Sequence, residues 1–131
     1  MKELDAMLAT WEACDAKNAF CTIREELEKM DDVTLTVNAR PGVSYSLRAT
    51  HKNQNERPLF ALVDIIDDDP EFRWLSVCFY QDMISDPDDR GDTVPGGLAG
   101  QDGYCFDHDD SEEMTGYLIQ RIKEGYRAAQ G

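Results

Sequence analysis

The stretch Val33-Thr34-Leu35-Thr36-Val37-Asn38-Ala39-Arg40-Pro41-Gly42-Val43-Ser44-Tyr45-Ser46-Leu47-Arg48-Ala49-Thr50 holds two alternating runs around a Pro-Gly turn. Val33, Leu35 and Val37 alternate with Thr34, Thr36 and Asn38, the period of a half-buried strand. Val43, Tyr45, Leu47 and Ala49 alternate in the same way with Ser44, Ser46, Arg48 and Thr50. Between the two runs, Pro41 presets φ for the second position of a turn. Gly42 accepts the positive φ that a type II turn needs next. Residues 33–50 therefore read as a β-hairpin.

Working outward toward the C-terminus, Lys52 to Glu56 form a polar turn. Pro58 to Ile66 is then a nearly continuous apolar run, interrupted at Asp64, which suits a central strand covered on both faces. Asp67-Asp68-Asp69-Pro70 stops it. Trp74 to Tyr80 is the next strand, with Leu75, Val77 and Phe79 on one face. Short links between successive strands favour antiparallel neighbours. Residues 81–103 read as one long acidic loop carrying Gly91, Gly96, Gly97, Gly100 and Gly103. Loops of that length are often functional or mobile. A short strand at Tyr104-Cys105-Phe106 closes it.

Both ends read as helix. Leu4, Met7, Leu8, Trp11 and Cys14 share one face, and Phe20, Ile23, Leu27 and Met30 form a second stripe out of phase with the first. A break near Lys17-Asn18 explains the slip, and Thr22 with Glu25 has the spacing of a capping box for a new helix. At the other end Asp110 caps a helix with Glu113 in the reciprocal position. Met114, Tyr117, Leu118, Ile122, Tyr126 and Ala129 form its apolar stripe.

The expected fold is α+β: an antiparallel sheet of four to five strands, with the N-terminal helix or helices and the C-terminal helix packed on it. The 131 residues fit one domain. It divides into a helical part at 1–31, a sheet at 32–106 containing loop 81–103, and a C-terminal helix at 110–129. This helix–sheet–helix order resembles that of small bacterial domains of the MmcQ/YjbR type. The resemblance lies in element order alone, and no functional motif comes with it.

The net charge of −14 is concentrated in the middle of the chain. Residues 1–63 balance to −2, residues 64–113 to −14 and residues 114–131 to +2. Such a field disfavours nucleic-acid phosphates and anionic membranes. It favours cations, basic partners or plain solubility. The start, Met1-Lys2-Glu3-Leu4-Asp5, carries acids where a secretory signal would be basic, and no run is long enough to span a bilayer. The expectation is a cytoplasmic protein with no membrane partner. Cys78 and Cys105, set in apolar and aromatic runs, read as buried free thiols.

The candidate sites are few. Asp64 sits on the same strand face as Phe60, Leu62 and Ile66, where a carboxylate must be paired, hydrogen-bonded or protonated. Arg48, Lys52 and Arg73 are its possible counter-ions. Tyr104, Cys105 and His108 could join Asp64 in a ligand pocket between sheet, loop and C-terminal helix. In the loop, the EF-hand pattern fails because Arg90 and Gly97 occupy ligand positions. A looser cation site from Asp86, Asp88 and Asp92 remains, against the alternative of a solvated loop. No Cys or His spacing supplies a zinc set or a nucleophile pair.

No catalytic motif survives, and the residues specify no substrate or cofactor. The first expectation is a non-catalytic binding or protein-interaction module, docking a protein partner on Asp86 to Asp102 with Met83, Val94 and Leu98 as anchors. Self-association is the related case, with the basic hairpin region meeting the acidic loop of a second copy. The alternatives are a small-ligand or metal-dependent enzyme at the pocket above, and an acidic nucleic-acid mimic.

Overall fold

The computed structural model describes residues 1–131. The hairpin forms as its sequence dictates. Strand β1 spans Val33–Arg40 and β2 spans Ser44–His51, antiparallel, with Val37 opposite Leu47. Gly42 has φ of +80°, and the amide of Val43 donates to the carbonyl of Arg40 at 2.9 Å, closing the turn.

Four further strands follow: β3 (Ala61–Ile66), β4 (Trp74–Tyr80), β5 (Asp92–Leu98) and β6 (Gln101–Asp107). They form one antiparallel sheet in the order β1-β2-β3-β4-β6-β5. The sheet thus has six strands rather than four or five. The difference lies in segment 81–103, expected as a loop. It holds a 3-10 turn at Gln81–Met83, all of β5 and the start of β6.

Helices α1 (Lys2–Thr10), α2 (Asp15–Glu28) and α3 (Glu112–Gln130) complete the fold. The chain leaves α1 at Trp11, whose indole is buried, and re-enters a helix after Cys14. The break therefore precedes Lys17-Asn18, and Thr22 lies inside α2. Ala16, Ala19, Phe20, Ile23 and Leu27 make the buried stripe of α2. Ser111, not Asp110, caps α3, accepting from the amide of Met114 at 3.0 Å. Asp110 has φ of +68°, whereas a cap residue sits in the extended region.

All three helices share one core with a single face of the sheet. Leu47, Val63, Ile65, Leu75, Val77, Phe79 and Phe106 point into it, and Leu4, Phe20, Ile23, Leu27, Leu118 and Ile122 meet them. Gly125 lets α3 approach closely, since a Cβ there would stand 3.1 Å from the carbonyl oxygen of Phe60. The opposite face of the sheet carries no helix. Along β3, buried Ala61, Val63 and Ile65 alternate with half-buried Leu62, Asp64 and Ile66. The strand is covered on one face, not two. No helix is long and apolar enough to cross a membrane.

Candidate functional site

The helix-free face is built in rows by the strand register. One row runs Asn38, Ser46, Asp64, Ser76, Asp107 from β1 to β6. The next runs Thr36, Arg48, Leu62, Cys78, Cys105 and ends at Asp92 on β5. On the other side lies Arg40, Ser44, Ile66, Trp74. Basic groups (Arg40, Arg48) thus stand on β1 and β2, acids (Asp92, Asp107) on β5 and β6, and Leu62, Asp64, Ile66, Trp74 and Ser76 between them.

Asp64 is the central charge of this face. Its Oδ1 is shielded from solvent and has no hydrogen-bond partner. Burial raises its pKa, and Ser46, Arg40 and Arg48 oppose that shift without cancelling it. None of the three expected counter-ions forms an ion pair with it. Arg73 pairs with Asp67 at 2.5 Å, Lys52 pairs with Asp32 at 3.3 Å, and Arg48 contributes only through the field.

Cys78 and Cys105, directly opposite across β4 and β6, are joined as a disulfide with Cα atoms 4.2 Å apart. The apolar runs around them predict free thiols, and the bond overturns that expectation. Sequence spacing gives no hint of the bond, because the pairing depends on β6 lying beside β4. Cys14 and Cys21 are the free cysteines.

Segment 81–91 is held by Asp86. Its carboxylate accepts from the hydroxyl of Tyr104 at 2.6 Å, from the hydroxyl of Tyr117, and from the amides of Arg90 and Gly91 at 3.0 and 2.9 Å. Burial opposes ionisation, yet these donors together hold the pKa well below the usual carboxylate range. Tyr104 is pushed up to about 12, chiefly by its hydrogen bond to Asp86. The guanidinium groups of Arg90 and Arg121 both lie over the Tyr117 ring, 4.9 and 4.5 Å from its centroid. With its lone pairs occupied, Asp86 is a fastener of the fold. Asp88 leans toward Arg90 at 3.7 Å and Asp92 lies exposed on β5. No group of three or more His, Cys, Asp or Glu side chains is placed to hold a metal ion.

His108 is buried beside the start of α3. Its Nδ1 accepts from the amide of Asp110 at 2.8 Å, so Nε2 carries the proton toward Thr115 Oγ1 at 2.7 Å. Burial lowers its pKa. Asp64 and Cys105 therefore share the open face, whereas Tyr104 and His108 lie on the helix side. The four do not line one pocket. A concavity of about 550 Å³ lies elsewhere, among Asn53, Arg57, Asp82 and Gln101. There Arg57 forks onto both oxygens of Asp82 at 2.6 and 2.9 Å and stacks on the Tyr80 ring. Such a wall is already internally satisfied.

Of the three apolar anchors expected in the acidic segment, Leu98 is buried with Leu59 and Tyr80, and Met83 packs beside them. Val94 remains exposed. The exposed aromatic surface is at the other end of the sheet. Phe72 is 72% exposed, Trp74 37% and Val43 50%. The β1–β2 and β3–β4 turns, which carry Val43 and Phe72, are tied by the amide of Asp67 donating to the carbonyl of Val43 at 2.9 Å. Sequence reading missed this patch. Its one signal was Phe72, an aromatic flanked by Glu71 and Arg73 in a turn.

The chain matches no family model, no curated protein and no solved structure.

Proposed function

We propose that this chain is a non-catalytic interaction module that docks a protein partner through the helix-free face of its sheet, at the end marked by Phe72 and Trp74. The observation that carries the reading is the exposure of Trp74, opposite Ile66 on an uncovered face, with Phe72 exposed two residues earlier in the adjoining turn. Exposed aromatics on a contiguous surface are what interface cores are made of. The flanking Arg40 favours a partner with an apolar contact region edged by carboxylates. A cytoplasmic location belongs to this proposal. It would keep Cys78 and Cys105 reduced in the cell, which alkylation before lysis reads directly.

The test is co-purification under native conditions with wild type, Phe72→Asp, Trp74→Asp and a far-edge control, Val94→Asp. A stoichiometric partner retained by wild type and the control, and lost from both aromatic variants, supports the reading. Partners retained equally by all four proteins would overturn it.

A further inference from the structure

The two edges of the sheet are not alike. The β5 edge is blunted. Pro95 lacks an N–H, Gly96 has φ of +63°, and the pairing with β6 shifts register between Val94 and Leu98. These are devices that prevent a further strand from adding. The β1 edge has none of them. It runs eight residues, Val33–Arg40, with no proline, no glycine and an unbroken ladder to β2. Its outward N–H and C=O groups bond to nothing else in the chain before the Arg40 turn. Its inward residues Val33, Leu35, Val37 and Ala39 are only partly covered by the helices.

We propose that β1 pairs antiparallel with β1 of a second copy, joining two sheets into one continuous sheet about a two-fold axis. Charge chooses both the occupant and the register. The strand carries no acid, ends in Arg40, and is preceded by Asp31 and Asp32. Antiparallel pairing with Thr36 opposite Thr36 of the second copy sets Val33 opposite Ala39 and brings each Arg40 to the Asp31-Asp32 turn of the other, where Asp32, at φ of +65°, also meets its own Lys52 at 3.3 Å. It also sets Leu35 opposite Val37, so the half-covered apolar sides of both copies meet. Direct partners share a face in antiparallel strands, which restricts the alternatives to slips of two residues. A slip to Leu35 opposite Leu35 shortens the ladder by two residues, and a slip to Val37 opposite Val37 draws Arg40 away from that turn.

The edge shares only Arg40 with the aromatic patch, so failure here leaves the docking proposal standing on Phe72 and Trp74, and the reverse. The test uses the full chain with Cys14→Ser and Cys21→Ser to remove free thiols. Sedimentation of this background protein up to the millimolar range should show a concentration-dependent dimer. Adding Thr36→Cys should give rapid disulfide-linked dimer on mild oxidation, whereas Thr34→Cys, facing Asn38, should not. Thr36→Glu places two carboxylates face to face and should raise the dissociation constant by about five-fold. Thr36 is exposed, so that change leaves the monomer fold intact, as circular dichroism would verify. A monomer throughout the concentration range would overturn the proposal. So would a dimer weakened by Trp74→Asp but not by Thr36→Glu.

Discussion

The hydroxyl of Tyr104 on β6 donates to the carboxylate of Asp86 at 2.6 Å, and this bond ties the 81–91 segment to the sheet. Asp86→Ala removes the common acceptor of two tyrosines and two amides. It should destabilise the protein by about 3 kcal/mol, read by urea unfolding. In wild type the Tyr104 phenol should ionise near 12. Asp86→Asn should bring that titration down toward the ordinary tyrosine value, read by tyrosinate absorbance.

Acid should expose the same contact. Asp86 has a folded pKa below its unfolded value of about 3.9, so its stabilising contribution is complete above that pH and is lost as pH falls toward the folded value. Wild type should therefore lose stability more steeply than Asp86→Asn on acidification below about pH 4. Parallel curves would show that the carboxylate charge is not the stabilising feature.

Asp64 has the opposite sign. Its folded pKa is raised, so the ionised form is a penalty that grows as pH rises through the unfolded value and is complete above the folded one. Asp64→Asn should raise Tm at neutral pH and leave it unchanged in acid, where both side chains are neutral.

The buried Asp67–Arg73 pair links the β1–β2 turn to the β3–β4 turn, because Asp67 Oδ2 also accepts from the amide of Gly42 at 3.3 Å. Arg73→Met leaves that carboxylate buried without its cation and should cost about 3 kcal/mol in a thermal or urea melt.

The Cys78–Cys105 bond closes a segment with a sequence separation of 27. Alkylation of the oxidised native protein should label Cys14 and leave the bonded pair unlabelled. Reduction should lower stability by about 3.5 kcal/mol, as loop-closure entropy gives for this length. An unchanged melt with and without reductant would mean that the strand pairing alone fixes this part of the sheet.

The strands β1 to β4 and the core stripe of α3 were legible in the sequence. Their apolar side chains recur with the period of the element that buries them. The open sheet face changes the reading of Asp64: alternation shows that it shares a face with Leu62 and Ile66, but not that this face lacks a helix layer. Strand β5 was not legible. In Asp92-Thr93-Val94-Pro95-Gly96-Gly97-Leu98 six of seven residues face solvent, so no apolar alternation marks the strand. It exists because a hairpin partner, β6, is held on β4. That same placement joins Cys78 to Cys105 and gathers Tyr104 and Tyr117 on Asp86. Along β1, β4 and α3 the sequence alone identifies the core-facing side chains, since burial there follows local periodicity. The disulfide, the Asp86 contacts and the exposed aromatic end were decided by tertiary structure, because each depends on segments far apart in the chain meeting across the sheet.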